Sequence, residues 1–313
     1  MNQTALVIIK SMGIGDLCIL TANIHAISTS IGKPLVVLAQ KSSRASSIFK
    51  HDPCVKEVIE LDKTGFFNII KKIKPYKFSQ CYVYSDSIRM YLISKLSNIK
   101  QIFHYKFFSK KGKNFYRTSQ EFTEKILQKK IDSTSKIYWN KDDIEKAKKN
   151  YYIKNNIKNI VCGISASGKT KRWRISNYIK LFEEISKKYQ SKFFLAGGPK
   201  DEDLIKAVMD SSIIGKNCIS FSKMSIEEAI PIIASCQNYI GSDTGWGHIA
   251  SGLGLKSLLL FMDSPPLAYG VYSNNISVIV PQGETIESCG HNTRGSEKIS
   301  FDEVLKKSLE LIN

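Results

Sequence analysis

The sequence predicts an α/β protein made of two parallel-sheet domains in series. Short apolar runs at residues 5–9, 35–39, 192–196 and 257–261 read as buried strands. Between such runs lie longer stretches in which apolar residues recur every three or four positions, as on one face of a helix. Strands that alternate with helices form parallel sheets. With 42% apolar composition, 313 residues suffice for two ordinary cores.

The first series opens with Ala5-Leu6-Val7-Ile8-Ile9 and a glycine-rich turn ending at Asp16. Leu17, Leu20, Ile24, Ile27 and Ile31 then fall at helical spacing, and Gly32-Lys33-Pro34 ends that helix. Gly13-Ile14-Gly15 begins like a dinucleotide-binding fingerprint but fails it twice. Cys18 stands at the third glycine position, and the second strand ends in Gln40 where a ribose-binding acid belongs. That argues against a nicotinamide-dependent dehydrogenase. The turn does offer Asp16 in the first turn of a helix, where the dipole favours a carboxylate suited to act as a base. The plain alternative is a helix cap.

Residues 55–61 and 79–83 read as further strands. Residues 103–117 interleave basic and aromatic side chains without a period. They fit a solvated loop with its aromatics against the core, or a grip on a membrane surface, an acidic glycan or single-stranded nucleic acid. Residues 141–152 read as a charged helix and 154–158 as an interdomain linker, which divides the chain into 1–155 and 156–313.

The second series has strands at 159–162, 192–196, 218–221, 238–240 and 257–261, and Ser225-Ile226-Glu227-Glu228 opens a helix as a capping box. Two such domains place a site in the crevice between them, at the carboxyl ends of the strands. The most informative stretch is Ile240-Gly241-Ser242-Asp243-Thr244-Gly245-Trp246-Gly247-His248. Here a strand runs into an acid and glycines, with a helix opening near His248. Unpaired helix-start amides, the Thr244 hydroxyl and the small Gly245 and Gly247 suit an anion. Asp243 would repel a bare phosphate and would rather face a sugar hydroxyl or an amine. The combination fits a nucleotide sugar; an Asp-Thr helix cap is the alternative.

Residues 163–170, Gly-Ile-Ser-Ala-Ser-Gly-Lys-Thr, match the phosphate-loop pattern, and the strand before Asp263 supplies a magnesium-holding acid. In a phosphate loop the helix starts at the Gly-Lys-Thr itself. Here the apolar face is Ile175, Tyr178, Ile179, Phe182 and Ile185, and extending it backward meets Arg172 and Lys171. The helix is therefore expected to start near Ile175, after a long basic loop.

A formal net charge of +18 points to an anionic partner. The seven cysteines are scattered without a C-x-x-C pair, as for reduced thiols in the cytosol. The amino terminus lacks a signal-peptide pattern, and no apolar run approaches the roughly 20 residues of a membrane span.

Together, Gly13-Ile14-Gly15-Asp16, Lys169-Thr170-Lys171-Arg172-Trp173, Ala196-Gly197-Gly198-Pro199 and 242–248 resemble glycosyltransferase family 9, the ADP-heptose:lipopolysaccharide heptosyltransferases and their relatives. The resemblance covers nearly the whole chain. It implies a GT-B fold, with two Rossmann-like domains facing each other across a cleft, acceptor on the first and nucleotide sugar on the second. The last helix would pack back on the first domain. It also implies an inverting transfer by one direct displacement, with a heptose or similar sugar passing from an ADP-sugar to a lipopolysaccharide-core or related glycan.

By position, Asp16 would be the general base, on a loop with Gly13 and Gly15 on the acceptor side. Lys171 would neutralise the diphosphate. The donor side would comprise Lys169, Lys171, Asp243, Thr244, Gly245 and His248, with Glu202 as a further contact. Asp201-Glu202-Asp203 looks like a metal-binding Asp-x-Asp, but acids also favour a helix start. No cofactor or essential metal is expected. Trp173 is expected to pack rather than bind. The chain departs from the family at Arg174, where proline is usual, and at residues 262–267.

The expected protein is thus a monomeric enzyme of the cytoplasm, on the inner face of the membrane, taking an anionic glycolipid or glycan acceptor and no nucleic acid. Other readings are a UDP- or GDP-sugar donor in surface-polysaccharide synthesis, a P-loop ATPase or kinase using 163–170, and a non-catalytic glycan- or nucleic-acid-binding protein.

Overall fold

The computed structural model describes residues 4–10, 13–62, 64–105 and 114–313. Most of the basic-aromatic stretch, residues 106–113, therefore lies outside the described residues. The chain divides into two compact units, Met1–Tyr138 and Trp139–Asn313.

In the first unit the order is β1 (Ala5–Ile9), α1 (Ile14–Ile31), β2 (Leu35–Gln40), α2 (Ala45–Ile48), β3 (Val55–Leu61), α3 (Phe66–Ile73), β4 (Gln80–Tyr84), α4 (Ile88–Leu96), β5 (Gln101–His104) and α5 (Phe115–Leu127). The strands form one parallel sheet in the order β3-β2-β1-β4-β5. Leu6, Ile8, Val36, Leu38, Cys81 and Val83 pack with Ile69, Ile73, Met90 and Ile93 of α3 and α4 into one core. The chain turns outward in both directions from β1 and β4. Ligands of open α/β sheets bind outside the strand ends at such a switch point, which is where the turn after β1 leads into Asp16. Two ends of the basic-aromatic stretch are regular, because β5 pairs with β4 and α5 begins at Phe115.

Among the described residues, α1 is the one helix long and apolar enough to cross a membrane, although no span was expected. More than half of it is buried within the unit, as in a core helix. Also in this unit, His25, Asp52 and Cys54 bring ligand-capable atoms within 4.8 Å of one another. Asp52 Oδ2 lies 2.7 Å from His25 Nε2, and its Oδ1 accepts the Cys54 amide at 2.9 Å. The three close as a hydrogen-bonded clasp between α1 and the turn before β3.

The second unit runs α6 (Lys141–Asn150), β6 (Lys158–Gly163), α7 (Ile175–Lys188), β7 (Ser191–Ala196), α8 (Glu202–Met209), β8 (Cys218–Ser220), α9 (Ile226–Ala234), β9 (Asn238–Ser242), α10 (Gly245–Gly252), β10 (Lys256–Leu260), α11 (Pro266–Tyr269), β11 (Ile276–Ile279) and α12 (Phe301–Ile312). Its sheet is parallel throughout, in the order β11-β10-β9-β6-β7-β8. One expectation is corrected here. The division falls at Tyr138/Trp139 rather than 155/156, because α6 packs on α9 and the Ser235 hydroxyl donates to the Ile144 carbonyl at 3.2 Å. The last helix, α12, packs within the second unit on α7, β9 and β10, with Val304 and Ile312 in the core. Trp173 is a packing residue, 2% exposed, edge-on to Tyr178 at 5.1 Å and stacked with Phe301 at 6.1 Å.

Candidate functional site

The second sheet reverses direction between β6 and β9, so its switch point lies where Gly163 and Gly241 pair across the two strands. Glycine is required at both. A Cβ on Gly163 would stand 1.7 Å from the Tyr239 hydroxyl, and one on Gly241 would stand 2.5 Å from the Gly163 backbone. The first glycine of the phosphate-loop pattern is thus explained by strand packing. Tyr239 in turn donates to the Ser242 carbonyl at 3.0 Å and lies 3.3 Å from the Thr244 hydroxyl, fixing the chain on either side of Asp243.

Immediately beyond, α10 opens at Gly245 with Thr244 as its N-cap, three residues ahead of the expected start at His248. Thr244 caps with its carbonyl, which accepts from Gly247 and His248, and its side chain makes no cap bond. The Gly245 and Trp246 amides stand at N1 and N2, where a helix supplies no acceptor, so they face outward with the positive end of the dipole. Gly247 is not an approach for a ligand: a Cβ there would meet Leu259 at 2.5 Å, so this glycine lets the helix close on the sheet.

Asp243 is mostly buried, its side chain 13% exposed. Its Oδ1 lies 3.2 Å from His248 Nε2, and its Oδ2 accepts the Ser264 hydroxyl at 2.6 Å. Burial alone would raise this carboxyl. The hydrogen bond and charge of His248, the Ser264 hydroxyl and the Lys171 ammonium outweigh burial and hold it below the ordinary range. A carboxyl held below its unfolded value contributes stability present above about pH 4 and lost as pH falls through the folded value. Asp243→Asn should therefore lower urea stability at pH 7, by an amount that shrinks as the pH falls through the folded value.

Lys171 belongs to the 3₁₀ turn Lys169–Lys171, and its charge also lowers Asp263, again against the effect of burial. Asp263 ties the basic loop down. Its Oδ2 accepts the Thr170 hydroxyl at 2.6 Å and its Oδ1 the Arg294 amide at 3.0 Å. Among the described residues Lys171 makes no ion pair within 4.0 Å. The ammonium therefore stands beside the site with its charge available. Lys169, at the head of the same turn, is exposed. Gly168 before it is extended, and α7 begins only at Ile175. A Gly-Lys-Thr in a single 3₁₀ turn does not present a phosphate loop's helix start, which excludes that reading.

Asp201, Glu202 and Asp203 open α8 as helix-start acids. Asp201 accepts the Gly198 amide at 3.0 Å and pairs with Arg172 at 3.4 Å, whereas Glu202 points to Lys223 at 3.8 Å on the surface. The structure brings Asp243, Thr244 and Gly245 together at the head of α10, with the charge of Lys171 beside them. His248 lies beneath them, 4% exposed, bonded to Asp243 at 3.2 Å and 2.8 Å from the Tyr272 hydroxyl. Ser264 and Tyr272 were not expected. Ser264 could have been found by its place just past a strand's carboxyl end; Tyr272 carries no sequence signal.

In the first unit, Asp16 lies in the first turn of α1, whose N-cap Gly13 is extended and gives no side-chain cap. A Cβ on Gly13 would sit 3.6 Å from Asp16 Oδ2, so Gly13 keeps the approach to that carboxylate open. Gly15 occupies the same turn.

Residues 114–298 match the family described as glycosyltransferase family 9 (heptosyltransferase). Lipopolysaccharide heptosyltransferase 1 of Campylobacter coli is 26% identical over 234 residues, 69% of this chain and 68% of that protein. The solved structure of E. coli ADP-heptose lps heptosyltransferase II superimposes with a TM-score of 0.80 at 15% identity, covering 99% of this chain and 98% of the other. E. coli heptosyltransferase WaaC, solved with ADP, gives 0.75 at 14% identity, covering 99% and 100%.

Proposed function

The chain belongs to glycosyltransferase family 9, and we propose that it transfers a heptose or similar sugar, with inversion, from an ADP-sugar to a lipopolysaccharide-core or related glycan. The observation that carries the reading is the pairing of opposite chemistries at the head of α10. Lys171 and the outward amides of Gly245 and Trp246 suit a diphosphate, while the Asp243 carboxylate beside them accepts only hydrogen-bond donors such as sugar hydroxyls. Thr244 adds a hydroxyl at the same helix start.

In this reading the diphosphate leaves toward Lys171 and the helix N-terminus as the sugar–phosphate bond breaks. Asp16 takes the proton of the acceptor hydroxyl that attacks. The helix-start setting of Asp16 favours its charged, proton-accepting form. The net charge of +18 suits an acceptor bearing phosphates or acidic sugars on an anionic membrane surface. The fold neighbour solved with ADP makes that nucleotide the first to try.

Calorimetric titration with ADP, UDP and GDP, with and without magnesium, tests the donor. ADP should bind without magnesium. Lys171→Ala should weaken it by on the order of tenfold, as for loss of a charge-assisted contact, and Lys169→Ala by less than twofold. Preference for UDP or GDP would replace the donor while keeping the fold. Magnesium-dependent ATP binding lost in Lys169→Ala would overturn the reading.

A further inference from the structure

The carboxylate at the centre of this site is held from behind. Ser264, between β10 and α11, and His248, from α10, bond Asp243 directly, and Tyr272, after α11, holds His248 in turn. Ser264, His248 and Tyr272 are 2%, 4% and 1% exposed. The carboxylate only accepts, so the Nε2 of His248 facing it carries the proton, and Nδ1 lies 2.8 Å from the Tyr272 hydroxyl. The His248 and Tyr272 rings stack at 5.7 Å, which fixes the imidazole plane.

A simple helix cap does not account for this arrangement. The N-cap is Thr244, and Asp243 is bonded to side chains from two other segments of the unit, at 3.2 Å and 2.6 Å. A carboxylate has about four lone-pair positions. The clamp takes one on each oxygen and leaves one on each for a ligand.

We propose that Ser264 and Tyr272 are positioning residues of the donor site. Ser264 acts directly and Tyr272 through His248. Together they hold Asp243 so that its remaining lone pairs meet hydroxyl groups of the donor's sugar. This inference rests on the sugar-nucleotide reading and extends it to residues outside the expected site. Because phosphate oxygens cannot donate to a carboxylate, the clamp acts on the sugar and leaves the nucleotide to Lys171 and the α10 amides. Lys171, Tyr239 and His248 are the charged or titratable groups that face Asp243, with Tyr272 behind His248.

The test uses the full chain with Ser264→Ala, Ser264→Thr and Tyr272→Phe. ADP and ADP-heptose are titrated by calorimetry, and the Asp243 carboxyl carbon is followed by NMR through a pH titration. In Ser264→Ala and Tyr272→Phe, ADP affinity should stay within twofold while ADP-heptose affinity falls on the order of tenfold. The Asp243 carboxyl should titrate at higher pH in Ser264→Ala, and Ser264→Thr should restore both readouts. Equal weakening of the two ligands, or an unchanged Asp243 titration, would overturn the clamp. If wild type binds ADP but not ADP-heptose, the sugar reading fails while the carboxyl titration still decides whether the clamp exists. If Tyr272→Phe does not fold, the two Ser264 variants alone decide the outcome.

Discussion

Replacing Asp16 with alanine should lower the rate of sugar transfer by on the order of a thousandfold and leave ADP affinity within twofold. A positioned general base contributes roughly 10²- to 10⁴-fold, and Asp16 is the acid at the switch point of the first sheet. It follows β1 in the first turn of a helix whose buried residues, Leu17 to Ile24 with Ile27 and Ser28, all come after it, so removing its carboxylate leaves the packing of α1 in place. The proposed nucleotide site lies in the second unit and retains every residue. Asp16→Asn keeps the shape and should be as inactive as the alanine variant, because an amide cannot accept the proton. Steady-state transfer rates with calorimetric ADP binding check both statements. A loss below tenfold would remove Asp16 from the chemistry.

The second large effect concerns stability. Gly241→Ala should destabilise the protein by about 3 kcal/mol or more, since a Cβ would stand 2.5 Å from the Gly163 backbone and strands paired by a ladder cannot part locally. The melting temperature should fall by on the order of 10 °C. Gly290→Ala, where a Cβ meets nothing within 4 Å, should shift it by less than about 2 °C and serves as the control. Similar melting temperatures for the two variants would contradict the packing argument. Gly163 and Gly241 also set the distance between the strands from which the Lys171 loop and Asp243 depart, so this stability effect and the site share one cause.

Much of this was legible from the chain because local signals and tertiary packing agree. The strands at 5–9 and 35–39 are uninterrupted apolar runs, and they are fully buried in parallel pairing. The start of α7 at Ile175 followed from tracing its apolar face backward to Lys171 and Arg172. That one boundary separated a basic loop from a phosphate loop.

Where the sequence was silent, the reason is physical in each case. Strands β5 and β11 lie at sheet edges, where one side pairs with nothing and the residues need not be apolar, as Gln101 and Ser277 show. The opening of α10 was placed late because two glycines in its first turn carry little helix propensity; Gly247 is there for packing against Leu259. The roles of Ser264 and Tyr272 depend on contacts 21 and 24 residues away in the chain, which no periodicity records.

The most direct measurement of the central claim is made on the reaction product. The full chain is incubated with ADP-heptose and a lipopolysaccharide-core oligosaccharide. Released ADP is counted, and the anomeric configuration of the new linkage is read by proton NMR. One ADP is expected for each sugar transferred, with a linkage of configuration opposite to that of the donor. Retained configuration would contradict the single displacement with Asp16 as base, and ADP release without any new linkage would contradict the transferase itself.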